Sequence, residues 1–134
     1  MMISSECCCA LRVSEIRPGL VLHLDPSQLE LKGARCTCLA EQRVEGHHFF
    51  LCLDTDNSEG DWPPLYSNPG PLRQMLSSDG RRGHAKWTDG VFHFHPSQIW
   101  TVSHLAILGA AAAGNDQSTA GNRNMLDEEK IPIL

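Results

Sequence analysis

No stretch of this chain approaches the roughly 18 consecutive apolar residues that a membrane-spanning helix needs, so no membrane partner is expected. Positive charge is also scarce. Eleven Lys and Arg stand against 16 Asp and Glu, a formal net charge of −5. That balance argues against a protein basic all over that coats nucleic acid, while allowing a local basic patch. Nothing in Met1 to Ile16 has the form of a secretory signal. It has no basic leading region, and Glu6, Arg12 and Glu15 interrupt any apolar run. The six cysteines are therefore expected as reduced thiols of a cytoplasmic protein. The Cys7-Cys8-Cys9 triplet reads as part of an apolar N-terminal strand. The C-x₂₋₄-C knuckle of structural zinc sites is missing, and no cofactor is expected.

What is present is turn chemistry. At 134 residues with eleven Gly and eight Pro, the chain fits one domain of many short elements rather than a helix bundle. Arg17-Pro18-Gly19 is a turn before an apolar strand, Leu20 to Leu24, and Asp25-Pro26-Ser27-Gln28 closes it as a corner. Leu29-Glu30-Leu31 and Ala34 to Glu41 alternate as further strands, with Cys36 and Cys38 on one face. His47 to Leu53 is the strongest strand pattern, followed by an acidic loop, Asp54 to Asp61, that lacks the terminal Glu of an EF-hand. Trp62, before two prolines, is expected at the surface, and Leu72 to Gly83 fits a short helix or a loop.

Asp89-Gly90 predicts a type I′ hairpin over Trp87 to His95. Ile99 to Val102 is another strand, and Ser103 can cap a closing helix from His104 to about Ala113. Gly114 to Leu134 reads as a flexible acidic tail, with a docked segment at Met125-Leu126 or Ile131 to Leu134. The expectation is a mainly β fold: a small SH3-like, partly open barrel of about five to seven short strands with one C-terminal helix. Its domains are an N-terminal segment 1–16, a barrel 17–113 and the tail 114–134.

Four segments in order resemble the MazF/PemK family, the SH3-like barrel toxins of toxin–antitoxin systems. Pro18-Gly19-Leu20-Val21-Leu22-His23-Leu24-Asp25-Pro26 is similar to the family's opening strand and D-P corner. His48 to Leu53 fills the slot of the second core strand, and Pro64-Leu65-Tyr66-Ser67 resembles P-[IL]-T-S. Ser97-Gln98-Ile99-Trp100-Thr101-Val102-Ser103 resembles the D-Q-I-R-T-V stretch before a helix. The resemblance covers residues 17 to 109. It implies the barrel, a homodimer, metal-independent endoribonuclease chemistry, and single-stranded RNA or an antitoxin-like protein as partner.

The family's catalytic Arg slot holds His47 and His48 here, and its Thr slot holds Tyr66, with Ser67 next to it. The expected catalytic set is therefore His47, His48, Ser67 and Arg73. Arg81, Arg82, Lys86, Trp87, His93 and His95 form the expected RNA-binding set, with Trp87 as a stacking platform. His93 and His95 lie two apart and read as the solvent-facing side of a strand. Pairing with Cys36 and Cys38 would give a Cys₂His₂ zinc site, but the expected metal set is empty. The rival reading is a non-catalytic binding or inhibitor module that contacts a target protein through the acidic loop.

Overall fold

Leu20–Leu24 is apolar on both faces because it feeds two cores. In the computed structural model, which describes residues 10–38, 43–113 and 122–134, this strand (β1) lies between two antiparallel neighbours. Leu20, Leu22 and Leu24 enter a core with Phe50, Trp62, Trp100, Val102 and Ile107. Val21, on the opposite face, joins Leu51, Leu65, Leu76, Trp87, Phe92, Phe94 and Leu126. The Cys7 to Cys9 triplet and residues 39–41 of the expected third strand fall outside the described residues.

The fold is mainly β with a helix late in the chain. The described residues hold ten short strands, more than expected, because the acidic loop, Leu72 to Gly83 and the tail contribute strands of their own. They are β1, β2 (Arg35–Cys36), β3 (His48–Leu51), β4 (Asp54–Thr55), β5 (Glu59–Trp62), β6 (Gln74–Met75), β7 (Arg81–Arg82), β8 (His93–Phe94), β9 (Trp100–Ser103) and β10 (Asn124–Leu126). One sheet has the order β3-β1-β10-β7, a second β2-β9-β5-β4, and β6 pairs with β8. In the second sheet Trp62 pairs with Trp100, so Trp62 is fully buried, contrary to the surface position expected of it. The acidic loop is the β4–β5 hairpin, tightened where Asp56 Oδ1 accepts the Ser58 and Glu59 amides at 2.8 and 2.9 Å.

Two helices replace expected strand or turn structure. The Asp25 corner continues into α1 (Pro26–Leu31), taking in Leu29-Glu30-Leu31. Its start is set by Asp25, whose Oδ1 accepts the Ser27 amide at 2.9 Å, and by Pro26, whose fixed φ and missing N–H suit the first helical position. The expected hairpin at Asp89-Gly90 is instead a single helical turn, α2 (Ala85–Thr88), with His84 Nδ1 accepting the Lys86 amide at 3.1 Å. The third helix, α3 (His104–Ala113), is capped as expected by Ser103, whose Oγ accepts the Ala106 amide at 3.1 Å.

The expected flexible tail needs the largest correction. Residues 122–134 are part of the fold, and β10 runs between β1 and β7 with Asn124, Met125 and Leu126 all buried. Met125-Leu126 is thus the docked segment. Leu126 donates its amide to Gly19 O at 2.8 Å. Gly19 has φ +99° and lies so close that a Cβ would stand 2.3 Å from Leu126 O, so only glycine fits this turn. The tail also reaches the N-terminal segment, where Arg123 bonds Glu15 through two nitrogens at 2.9 and 3.1 Å. The hydrogen bond from Arg123 holds the Glu15 carboxyl below its ordinary range, against the opposing effect of burial.

Candidate nucleic-acid interface

Tyr66 is the centre of a surface where several expected site residues meet. Leu65 and Tyr66 are pinned between β3 and β8: the Leu65 amide donates to Phe49 O at 2.7 Å, and Tyr66 and His93 exchange backbone hydrogen bonds at 2.8 Å each. Leu65 fills the second core, which turns Tyr66 to the other side. Its ring is nearly covered, and its hydroxyl bonds Gln98 Oε1. Burial pushes its phenol upward, while the Arg73 charge acts the other way.

The Arg73 guanidinium lies over that ring, its carbon 3.7 Å from the ring centre, with Nη1 donating to Asn68 O at 3.0 Å. The guanidinium is thereby engaged with the Tyr66 ring. His48 meets the Tyr66 ring edge to face at 5.8 Å. Its two ring nitrogens lie 3.2 Å from the carbonyls of Leu65 and Glu45. Both carbonyls are acceptors, and a neutral imidazole donates to only one of them, so one ring nitrogen is hydrogen-bonded to backbone and the other faces a carbonyl.

Beyond Arg73, a pocket of about 350 Å³ is lined by Leu72, Arg73, Gln74, His95, Pro96 and Ser97. His95 Nδ1 accepts the Ser97 amide at 3.2 Å and lies 2.9 Å from Ser97 Oγ. That acceptor role leaves Nε2 to carry the proton in the neutral ring. The turn repeats the Asp25 corner, where Oδ1 likewise takes the Ser27 amide and hydroxyl. Leu72, at the rim, has φ +64° and is 77% exposed, a conformation a branched residue adopts at a cost of about 1–3 kcal/mol. His48, Tyr66, Arg73, Gln98, Ser97 and His95 thus form one continuous strip.

The other expected residues lie elsewhere. His47 is exposed and stacks on His23 at 5.3 Å, beside Phe49 and away from Tyr66. Ser67 is exposed next to Tyr66. Trp87, the expected stacking platform, is fully buried and donates its indole N–H to Met125 O at 3.2 Å, so no base can reach it. Arg81 sits 4.6 Å above that indole and bonds the carbonyls of Ser77, Trp87 and Gly90. It holds a loop together, and its burial lowers the guanidinium pKa. Arg82 stands 4.0 Å from Asp127, and Lys86 is exposed on α2.

His93 corrects the reading of the histidine pair. It is buried at 6% exposure, because β8 is covered on one face by the second core and hydrogen-bonded to β6 and Tyr66 along its edges. Cys36 lies in the β2-β9-β5-β4 sheet, and His93 in the β6–β8 pair. Among the described residues no group of three or more His, Cys, Asp or Glu is placed to hold a metal ion. Cys36 and Cys38 have their sulfurs 2.7 Å apart, and burial pushes the Cys38 thiol up to about 11.

Sequence reasoning missed Tyr66, Gln98 and Ser97 as site residues. The echo of Asp25-Pro26-Ser27-Gln28 in His95-Pro96-Ser97-Gln98 was the available signal. No protein-family model, curated protein or solved structure matches this chain. Among the described residues no helix is long and apolar enough to cross a membrane.

Proposed function

We propose that this protein binds single-stranded RNA through the strip from His48 to His95, as an RNA-binding relative in kind of the MazF/PemK barrels. The observation that carries this reading is the Tyr66–Arg73 pair beside the pocket that holds His95. A guanidinium held over an aromatic ring, with one N–H given to Asn68 O, keeps further N–H donors for a base or a phosphate. His95 Nε2 adds a donor, and Gln74 adds an amide able to meet the edge of a splayed base. A pocket near 350 Å³ is at the small end of ligand-site volumes and suits one unstacked nucleotide. Such a role places the protein in the cytoplasm.

The geometry supports binding better than cleavage. Cutting RNA without a metal needs a base to take the 2′-hydroxyl proton beside a phosphate-binding cation. His48 has both nitrogens against carbonyls, His95 has Nδ1 engaged by Ser97, and His47 is stacked on His23. A long mixed-sequence transcript incubated with the protein in EDTA is therefore expected to stay intact. Cleavage that disappears in His48→Ala would contradict this and restore the nuclease reading.

A further inference from the structure

We propose that the cleft between the C-terminal segment and the β4–β5 hairpin is a docking site for a cationic, partly apolar peptide segment of a protein partner. The cleft holds about 610 Å³, with Leu53, Ile99, Ile131 and Ile133 on its apolar walls and Asp54 and Glu128 at its rim. Ile133 is 99% exposed and Leu134 56%. These side chains widen a surface that water covers at a cost of roughly 25 cal/mol per Å². The cleft shares Pro96 with the pocket that holds His95, but its acidic rim and its isoleucine walls lie outside the strip around Tyr66, so the proposal does not rest on the RNA reading.

Charge identifies the occupant. Asp54 and Asp61 stand directly opposite each other in the β4–β5 ladder, and like charges in cross-strand register destabilise a hairpin. Asp61 is partly relieved by the Thr101 hydroxyl at 2.8 Å. The ion pairs among the described residues join Arg35 to Glu59, Arg43 to Glu30, Arg82 to Asp127 and Arg123 to Glu15. Asp54, Asp61 and Glu128 therefore face the cleft without a cation. A Lys or Arg placed between Asp54 and Asp61 relieves their repulsion and gains a desolvated partner, with neighbouring Leu or Ile covering Ile99 and Ile131. A second copy of the chain fits less well: its net charge is −5, and two acid-rimmed clefts would repel.

The probe is a fluorescein-labelled, end-blocked peptide of alternating Lys and Leu, read by anisotropy, with a Glu/Leu peptide as control. The parent protein is expected to bind the Lys peptide and reject the Glu peptide. Asp54→Asn/Glu128→Gln and, separately, Ile133→Ser are each expected to weaken binding about tenfold. All three side chains are exposed or at the rim, so no variant should melt below the parent, and the variant carrying Asp54→Asn should melt slightly above it as the repulsion with Asp61 is relieved. Failure to bind the Lys peptide, or equal binding by the parent and both variants, overturns the proposal. Concentration-dependent self-association abolished by Ile133→Ser also overturns it, because the cleft would then belong to a second copy.

Discussion

Ending the chain at Arg123 is expected to abolish cooperative unfolding. Deleting residues 124–134 removes β10 from between β1 and β7, leaving β1 with one neighbour and β7 with none. Leu126 and Met125 are buried in the two different cores, and losing each such side chain costs about 1.5–3 kcal/mol in burial alone. Two donors lose their acceptors: the buried Trp87 indole N–H, which bonds Met125 O at 3.2 Å, and the part-buried His84 amide, which bonds Asn124 Oδ1 at 2.7 Å. Each orphaned group adds about 1–3 kcal/mol. Together these losses are comparable to the whole stability of a small domain, about 5–15 kcal/mol. Thermal melting followed by circular dichroism checks this: a sigmoidal transition near the parent temperature would mean that residues 124–134 are dispensable.

Trp87→Ala is expected to destabilise the protein by about 3–5 kcal/mol, the range for emptying a buried aromatic site. The ring is fully buried, meets Phe92 at 5.4 Å and Phe49 at 6.3 Å, and carries the Arg81 guanidinium on its face. Its removal takes the floor from under a partly buried charge whose other partners are three carbonyls and the Phe92 ring. Trp87→Phe should cost clearly less, because it keeps most of the volume and loses the single bond to Met125 O. Urea titration measures both. If Trp87→Ala melted like the parent while losing RNA affinity, the ring would be the exposed stacking platform that its basic neighbours suggest.

These two cases show which parts of the molecule were legible in the sequence. Regular alternation and caps were: His48–Leu51 and Trp100–Ser103 form strands, and Ser103 starts the last helix, because local pattern and tertiary burial agree there. At Asp25 the corner residues were recognised, but a cap and a corner share the same side-chain-to-amide bond. Only the burial of Leu29 decides that the chain continues as α1. The tail misled because its polar composition hides a three-residue strand, whose burial depends on partners distant in sequence: β1, more than 100 residues earlier, and β7, more than 40 residues earlier.

The candidate site was legible in part. Arg73, His48 and His95 were singled out from residue type, and they do fall on one strip. Charge type alone could not tell a solvated cation from one consumed in the fold. Arg81 and Arg82 are adjacent in sequence, yet Arg81 caps carbonyls over Trp87 while Arg82 faces Asp127. Nor could period-two alternation predict His93, because it assumes one wet face, and β8 has none.

The most direct test of the account is anisotropy of a labelled, mixed-sequence single-stranded RNA between about 50 and 200 mM salt. The parent protein should bind with an affinity that falls as salt rises. Arg73→Ala should weaken binding about tenfold and flatten the log–log salt slope by about 0.7, the loss of one phosphate contact on a single strand. Lys86→Ala, on the exposed face of α2, should bind like the parent. No binding by the parent, or equal binding by Arg73→Ala, would contradict the assignment of this surface to RNA.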